Sequence, residues 1–325
     1  GLQWVAPSLS VVAPNQAGLG PGVSLEPDPE LLFRSRTGQS RSESVQVEIN
    51  DLGMRGDAVP PPGPAARVVY LGDSSVFGWG VPRDEAFPWA TGRRLARDRR
   101  QVVTLNAGTP GYSSAQSRFQ LEKLGPKLAP DVVVIASLWS DMMRTGWRDR
   151  ELFERFGSAE HAAELRQHEA LSRSALFVLL RARLLSLRSV PDNQYVLWDT
   201  VIGGKDGTGA TRASVADHRA NLEAMADTAE ALGARPLFLI LPANRLGEHP
   251  PDDVLRPYQD NHREVAAARG VPCVDMDTRW RGQDEATLQR WFMDRVHPSR
   301  EGHADIAAAL APALIEALGA TPSGR

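Results

Sequence analysis

The chain has 325 residues, 42% of them hydrophobic and 24% charged, with a formal net charge of -3 at pH 7. It is long for one compact domain and short for two full ones, and large enough to bury a core without disulfides or metals. The near balance of charge excludes an electrostatic footprint for nucleic acid. The single cysteine, Cys273, excludes an internal disulfide and a cysteine metal cluster.

Of the 37 basic residues, 3 are Lys and 34 are Arg. They are scattered, which reads as the genome composition of a GC-rich bacterium rather than as a binding patch. The densest run, Arg93 to Arg100, reads as the solvated face of an amphipathic helix. No stretch approaches the roughly 18 apolar residues of a membrane span, so no transmembrane segment is expected in this chain. It starts at Gly1 rather than Met, so a missing leader or anchor carries no information. The compartment is left open, with a secreted, periplasmic or membrane-anchored location favoured over a cytoplasmic one.

Residues 1–65 are rich in Pro, Gly and Ser and read as an N-terminal extension packed on a main domain, 66–325. Within the extension, Ser44 to Asn50 alternates apolar and polar residues as a half-buried strand does. Pro60-Pro61-Pro62-Gly63-Pro64 reads as a stiff connector. From residue 66 onward, short apolar runs alternate with longer amphipathic segments. The runs Arg67–Leu71, Gln101–Leu105, Asp131–Leu138, Arg235–Leu241 and Val271–Val274 have the β-branched, apolar character of buried parallel strands. Helices are expected near 85–100, 114–128, 217–233, 254–269 and 300–318. The last places Ile306, Leu310, Ala313, Leu314 and Ala317 on one face. This alternation predicts an α/β fold, a doubly wound five-stranded parallel sheet flanked by helices. Residues 142–200 are longer than a crossover needs and include a helical stretch, Leu171 to Leu187. They read as a helical insertion, either a lid over a site or a packed bracket.

In open α/β sheets, ligands bind beyond the carboxyl ends of the strands. Gly72-Asp73-Ser74-Ser75 follows the first run, Asn106-Ala107-Gly108-Thr109-Pro110-Gly111 the second, and Trp139-Ser140-Asp141 the third. Asp294-Arg295-Val296-His297-Pro298 precedes the last helix. A serine hydrolase needs a nucleophile, a histidine base, a carboxylate to orient it and donors for the oxyanion. Ser74 stands where a strand turns into the next element. Asp294 and His297 are one turn apart, so the carboxylate can reach the imidazole. Gly111 lacks a side chain, so its N–H can approach a substrate oxygen. Each piece also has a plain structural reading. Strand-end turns favour Gly, Asp and Ser for conformational reasons, and Ser299 can simply N-cap the last helix.

Residues 66–315 resemble the SGNH hydrolase superfamily, the bacterial GDSL-like lipases and esterases, in three blocks that occur in the family's order. The first is Val69-Tyr70-Leu71-Gly72-Asp73-Ser74, continuing Phe77-Gly78-Trp79-Gly80-Val81-Pro82. The second is Leu105 to Tyr112, and the last runs from Asp294 to His303. The segment Ile49 to Gly56 also resembles the lead-in of a bacterial subgroup. The resemblance implies a flavodoxin-like fold, Ser74 as nucleophile, His297 as base and Asp294 as its partner. It further implies that the Ser74 and Gly111 N–H groups bind the oxyanion. Where the family has Gly-x-Asn-Asp, this chain has Leu138-Trp139-Ser140-Asp141, placing Ser140 at the position of an oxyanion-binding Asn. Ser140 is then a weaker substitute donor, or another donor serves, or the site is tuned to a different acyl acceptor.

The expected activity is hydrolysis of a small-molecule or glycan ester through an acyl-enzyme. The alternatives are acyl transfer to a sugar or cell-wall glycan by the same triad, and a degenerate binding protein on the same fold. Trp79, Tyr112 and Trp139 each follow a strand end and are candidates either to line a substrate cleft or to pack. His303 reads as a packing or capping residue. His161, His168, His218, His249 and His262 form no metal-spaced pair, and no phosphate-loop or dinucleotide fingerprint occurs. Neither metal nor cofactor is expected.

Overall fold

The computed structural model describes residues 23, 25–98, 100–145, 148–160, single positions between 163 and 177, 210–246 and 252–319. Most of the expected helix from Leu171 to Leu187, and His161, His168 and His249, lie outside the described residues. The chain divides into two compact units, one drawn from 1–36 and 143–212, the other from 37–142 and 213–325.

In the first unit, β1 (Leu25–Asp28) pairs antiparallel with β2 (Leu32–Ser35). In the second unit, β3 (Gly38–Ser42) and β4 (Val45–Ile49) form another antiparallel hairpin. Of these four strands only β4 has an apolar alternation. In β3 the inward positions are Ser40 and Ser42, both buried, so hydrophobic period carries no trace of it. There follow β5 (Ala66–Leu71), α1 (Ser74–Phe77), α2 (Phe87–Arg97), β6 (Val102–Asn106), α3 (Ser114–Leu128) and β7 (Val132–Ile135).

The first unit resumes with β8 (Arg144–Thr145), α4 (Asp149–Phe156) and β9 (Ala210–Thr211). Strands β8 and β9 pair antiparallel. Beside them Arg212 Nε donates to Asp149 Oδ1 at 2.9 Å, an ion pair whose side chains are both buried. The second unit then adds α5 (Val215–Ala231), β10 (Arg235–Ile240), α6 (Asp252–Arg269) and β11 (Cys273–Asp275). It ends with α7 (Met276–Arg281), α8 (Glu285–Trp291) and α9 (Arg300–Gly319). The short helices α7 and α8 are absent from the hydrophobic pattern. They are announced instead by Asp275 and Asp284, whose side chains accept from the N–H groups of Thr278 and Thr287 at 2.9 Å.

The central sheet is all parallel, in the order β11-β10-β7-β5-β6, the flavodoxin-like order expected. Alternate strand residues feed opposite faces. Val68, Tyr70, Val132, Val134, Leu237 and Leu239 pack with residues of α2, α7 and α9. Val69, Leu71, Val133, Ile135 and Phe238 pack with residues of α3, α5 and α6. Both faces are thus covered, which is why the five runs read as continuous apolar segments rather than alternating ones. In α9, Ile306, Leu310, Leu314 and Ala317 are buried, while Ala313 lies at the margin. Cys273 is half-buried on β11, and burial pushes its thiol up to about 12. Among the described residues, no helix is long and apolar enough to cross a membrane.

The sheet order reverses between β5 and β7, and beside that point the loop leaving β6 approaches α1 closely at a glycine. A Cβ on Gly108 would lie 2.5 Å from Phe77 N and 2.8 Å from Val76 C. Gly108→Ala is therefore expected to destabilise the fold by about 1–3 kcal/mol, the usual cost of overpacking against backbone. A lowered midpoint in urea denaturation, with the slope retained, checks it.

Candidate active site

Ser74 is the first residue of α1, directly beyond the carboxyl end of β5. Asp73 caps that helix, its Oδ1 accepting from Ser75 N–H at 3.0 Å. The helix is one turn long, and Gly78 closes it in the left-handed region at φ 83. Its final carbonyls are met from outside. Asn106 Nδ2 donates to Val76 O at 3.0 Å and Phe77 O at 3.2 Å, while Asn106 Oδ1 accepts from Gly108 N–H at 3.0 Å. One side chain from the end of β6 thus orders both its own loop and the serine-bearing turn.

His297 and Asp294 sit on the loop between α8 and α9. A bridge between Phe292 and Pro298 pinches its base, and Met293 N–H donates to His297 O at 2.9 Å. Asp294 Oδ1 accepts from Val296 N–H at 2.9 Å and His297 N–H at 2.8 Å, closing an Asx-type turn. From the loop after β10, Asn244 Nδ2 donates to Asp294 O at 2.8 Å. Gly302 lets α9 close on this loop, since a Cβ there would collide with Trp291 O and sit 2.9 Å from the Trp280 ring. Ser299 Oγ accepts from Gly302 N–H at 3.3 Å, the N-cap of α9 that the sequence suggests.

Ser74 here meets a pair of side chains from far along the chain. His297 Nδ1 lies 2.6 Å from Asp294 Oδ2, and His297 Nε2 lies 2.8 Å from Ser74 Oγ. A carboxylate cannot donate, so in the neutral ring Nδ1 carries the proton toward Asp294 and Nε2 accepts from the Ser74 hydroxyl. Partial burial opposes ionisation of Asp294. The hydrogen bond from His297, its charge and the N–H groups of His297 and Val296 outweigh that and bring the carboxyl down to about 2. Such a chain can draw a proton from a hydroxyl as it attacks. The neighbouring Ser75 is turned away from the imidazole, donating instead to Val296 O at 3.2 Å.

Trp79 stacks on the His297 ring, with centroids 5.9 Å apart and 28° between planes. Its Nε1 donates to Glu43 Oε1 at 3.1 Å, from the turn between β3 and β4. Gly111 occupies the third position of a turn closed by Tyr112 N–H donating to Thr109 O at 3.0 Å. Its φ of 80, with Pro110 before it, is the geometry of a type II turn. Tyr112 is wholly enclosed, and Trp79 and Trp139 are buried as well. Ser140 is buried at the start of a short 3-10 turn, Ser140–Met142.

Asp73 ties these parts together, and the motif reading assigned it no task of its own. Its Oδ2 accepts from Trp139 N–H at 3.0 Å, and it takes a further bond from Ser140 N–H. One buried carboxylate therefore joins the loop after β5 to the loop after β7 across the point where the sheet order reverses. Asp141 performs a similar task one step out, accepting from both Ser114 N–H (2.9 Å) and Ser114 Oγ at the start of α3. The signal for Asp73 was its place between a strand and a helix, the place of an N-cap. Nothing local in the sequence marks its contact with residue 139.

The other described histidines, His218, His262 and His303, are packed. His303 Nδ1 accepts from Phe87 N–H at 3.2 Å, its ring stacks on Phe87, and burial lowers it to about 3. His218 and His262 lie in mutual contact and are held neutral, at about 4 and about 3, chiefly by burial. Among the described residues no group of three or more His, Cys, Asp or Glu is arranged to hold a metal ion.

The sequence profile of the GDSL-like Lipase/Acylhydrolase family matches residues 70–304, a span that holds Ser74, Gly111, Asp294 and His297. The chain belongs to that family. It is accordingly a hydrolase of ester bonds, of the SGNH type. Among solved structures, an acetyl xylan esterase, AlAXEase, is similar at 15% identity and a TM-score of 0.51, covering 77% of this chain and all (100%) of that one. A lipase/acylhydrolase from Enterococcus faecalis is 18% identical with a TM-score of 0.49, over 77% of this chain and 95% of that one. TesA is 17% identical with a TM-score of 0.46, over 77% and 99%. At such identities the first of these speaks for the fold. A search of curated proteins finds no match.

Burial lifts the Asp73 carboxyl to about 6, against the pull of its N–H donors and of His297. A folded-state pKa above the unfolded value of 3.8 means that the folded protein holds the proton more tightly. The contribution to stability is then full below 3.8 and is lost as pH rises through about 6. Asp73→Asn removes that dependence and sets an amide donor against backbone N–H groups, which costs about 1–3 kcal/mol at neutral pH. The gap between the denaturation midpoints of wild type and variant should therefore narrow from pH 4 to pH 7 without closing. The lost acceptor is expected to dominate at pH 7.

Proposed function

We propose that the protein hydrolyses esters of small molecules or glycans through an acyl-enzyme formed on Ser74. His297 acts as general base and then general acid, and Asp294 holds its tautomer and stabilises the imidazolium. The observation that carries this reading is the unbroken contact from Ser74 Oγ through His297 to Asp294, at 2.8 and 2.6 Å. Ser74 attacks the ester carbonyl while Nε2 takes its proton. Nε2 returns that proton to the departing alcohol. Water then repeats the sequence on the acyl-enzyme and releases the acid.

The oxyanion of each tetrahedral intermediate is assigned to the Ser74 and Gly111 N–H groups and the Ser140 hydroxyl. The placement of Ser74 at the first turn of α1 supports its N–H, because the first N–H groups of a helix have no partner within it. The type II turn supports Gly111, since it sets this residue in a conformation that other residues resist. Ser140 is supported by its anchorage, for its own N–H is bound by Asp73 beside the nucleophile. Trp79 and Trp139 are proposed walls of the ester cleft, with Trp79 holding the imidazole plane. Tyr112, enclosed beside Gly111, is proposed to contribute by keeping that turn in place.

Ser74→Ala is expected to reduce hydrolysis of short-chain aryl esters by on the order of a million-fold and to abolish labelling by a fluorophosphonate probe. Ser75→Ala should retain labelling; full labelling of Ser74→Ala would instead overturn the assignment. Ser140→Ala should lower kcat by about 100-fold, the cost of one oxyanion donor, with KM little changed. Unchanged turnover in that variant would remove Ser140 from the oxyanion site. Product analysis with an added sugar acceptor should show free acid as the main product, and dominant transfer would count against hydrolysis.

A further inference from the structure

A helix of one turn cannot hold itself. Fixing its dihedrals costs more than its few internal hydrogen bonds return, and its last carbonyls have no partner within it. In α1 the Ser74 carbonyl is met by Gly78 N–H and Trp79 N–H, both at 3.1 Å. The carbonyls beyond it need donors from elsewhere. Asn106 supplies one set. Arg55 supplies the other, its Nη1 donating to Phe77 O at 2.8 Å and Gly78 O at 2.7 Å, and its Nη2 to Val81 O at 2.8 Å.

The guanidinium is buried, at 2% exposure. Its hydrogen bonds among the described residues go to main-chain carbonyls, and it lies over the rings of Phe77 (5.0 Å) and Trp89 (5.7 Å). Burying a cation without a carboxylate beside it is unfavourable, a cost that the three carbonyl contacts and the two ring faces must offset. Gly78 is fitted to it, since a Cβ at Gly78 would lie 2.9 Å from Arg55 Nη1. The backbone of Arg55 also bridges to Asn106, placing both donors side by side at the end of β6. Arg55 lies outside residues 70–304, the span of the family match.

We propose that Arg55 is a positioning residue for the esterase reaction, fixing through α1 the place of the Ser74 hydroxyl against His297. The inference rests on the assignment of Ser74 as nucleophile. The two nitrogens of the fork reach carbonyls three residues apart in sequence, Gly78 and Val81, a fixed two-point hold that the point charge of an ammonium lacks. Loosening either contact lets the turn rotate about Asp73, and Ser74 moves with it. A cavity of about 670 Å³ lined by Arg55, Asn50, Trp89 and Asn106 adjoins the guanidinium and offers a small cation a way in.

The test compares wild type with Arg55→Lys and Arg55→Ala, with Ser74→Ala as control, on a short-chain aryl ester. Activity is expressed per site titrated by a fluorophosphonate, so that unfolded protein does not count. Arg55→Lys should lower kcat per titrated site by about 10- to 100-fold, as small misplacements of reacting groups do, with KM within about twofold of wild type. Arg55→Ala should lose more, and methylguanidinium should restore part of its kcat while leaving wild type and Ser74→Ala unchanged. A purely structural role predicts fewer titratable sites, each with wild-type kcat and no rescue, and that result overturns the proposal. If Arg55→Ala yields no folded protein, Arg55→Lys decides by the same per-site kcat. Should Ser74→Ala keep activity and labelling, the nucleophile assignment fails and the proposal falls with it. Should Ser74→Ala be inactive while both Arg55 variants keep wild-type kcat, only the Arg55 proposal fails.

Discussion

The serine hydroxyl stands on a single turn of helix, and one turn is too short to maintain its own geometry. Everything near it can be understood as compensation for that. Asp73 holds the amino end, Asn106 and Arg55 hold the carboxyl end, and Gly108 lets the neighbouring loop approach closely enough to do so. A longer helix would be self-supporting. A short one sets the half-buried Ser74 directly beyond the carboxyl end of β5, where the proposed attack on an ester requires it.

The sheet supplies the frame in which these contacts can occur. Its strand order reverses between β5 and β7, the place where open α/β sheets bind ligands. Asp73 ties the loops after these two strands together there, bound on one side to Ser75 and on the other to Trp139 and Ser140. Its carboxyl is lifted to about 6 because burial outweighs its donors, whereas Asp294, half-exposed and bound to His297, is lowered to about 2. The carboxyls beside Ser74 and His297 are thus driven in opposite directions by their surroundings, one toward keeping its proton and the other toward a permanent negative charge.

Much of the fold was legible in the residues. The five strand runs and the five longer helices follow from apolar period and caps, and the structure places them within a few residues of their expected bounds. What escaped has a common cause. The hairpin partner β3 buries serines, and α7 and α8 are too short to show a period; each is specified by polar contacts rather than by hydrophobic pattern. The site divides in the same manner. Ser74, Asp294 and His297 could be singled out because each stands at a strand end or in a short motif, and the family match covers them.

The sequence by itself determined the layered α/β class, the candidate triad and the departure at Ser140. These depend on local spacing, on residue chemistry and on position relative to apolar runs. Only the tertiary structure decided that Ser74 rather than Ser75 faces the imidazole, that Asp73 joins residues 75 and 139, and that Arg55 reaches across to Phe77, Gly78 and Val81. Those contacts join residues up to 223 positions apart. They form only when β5, β6 and β7 are already side by side, and no short-range pattern encodes which side chain will then be within reach of which carbonyl.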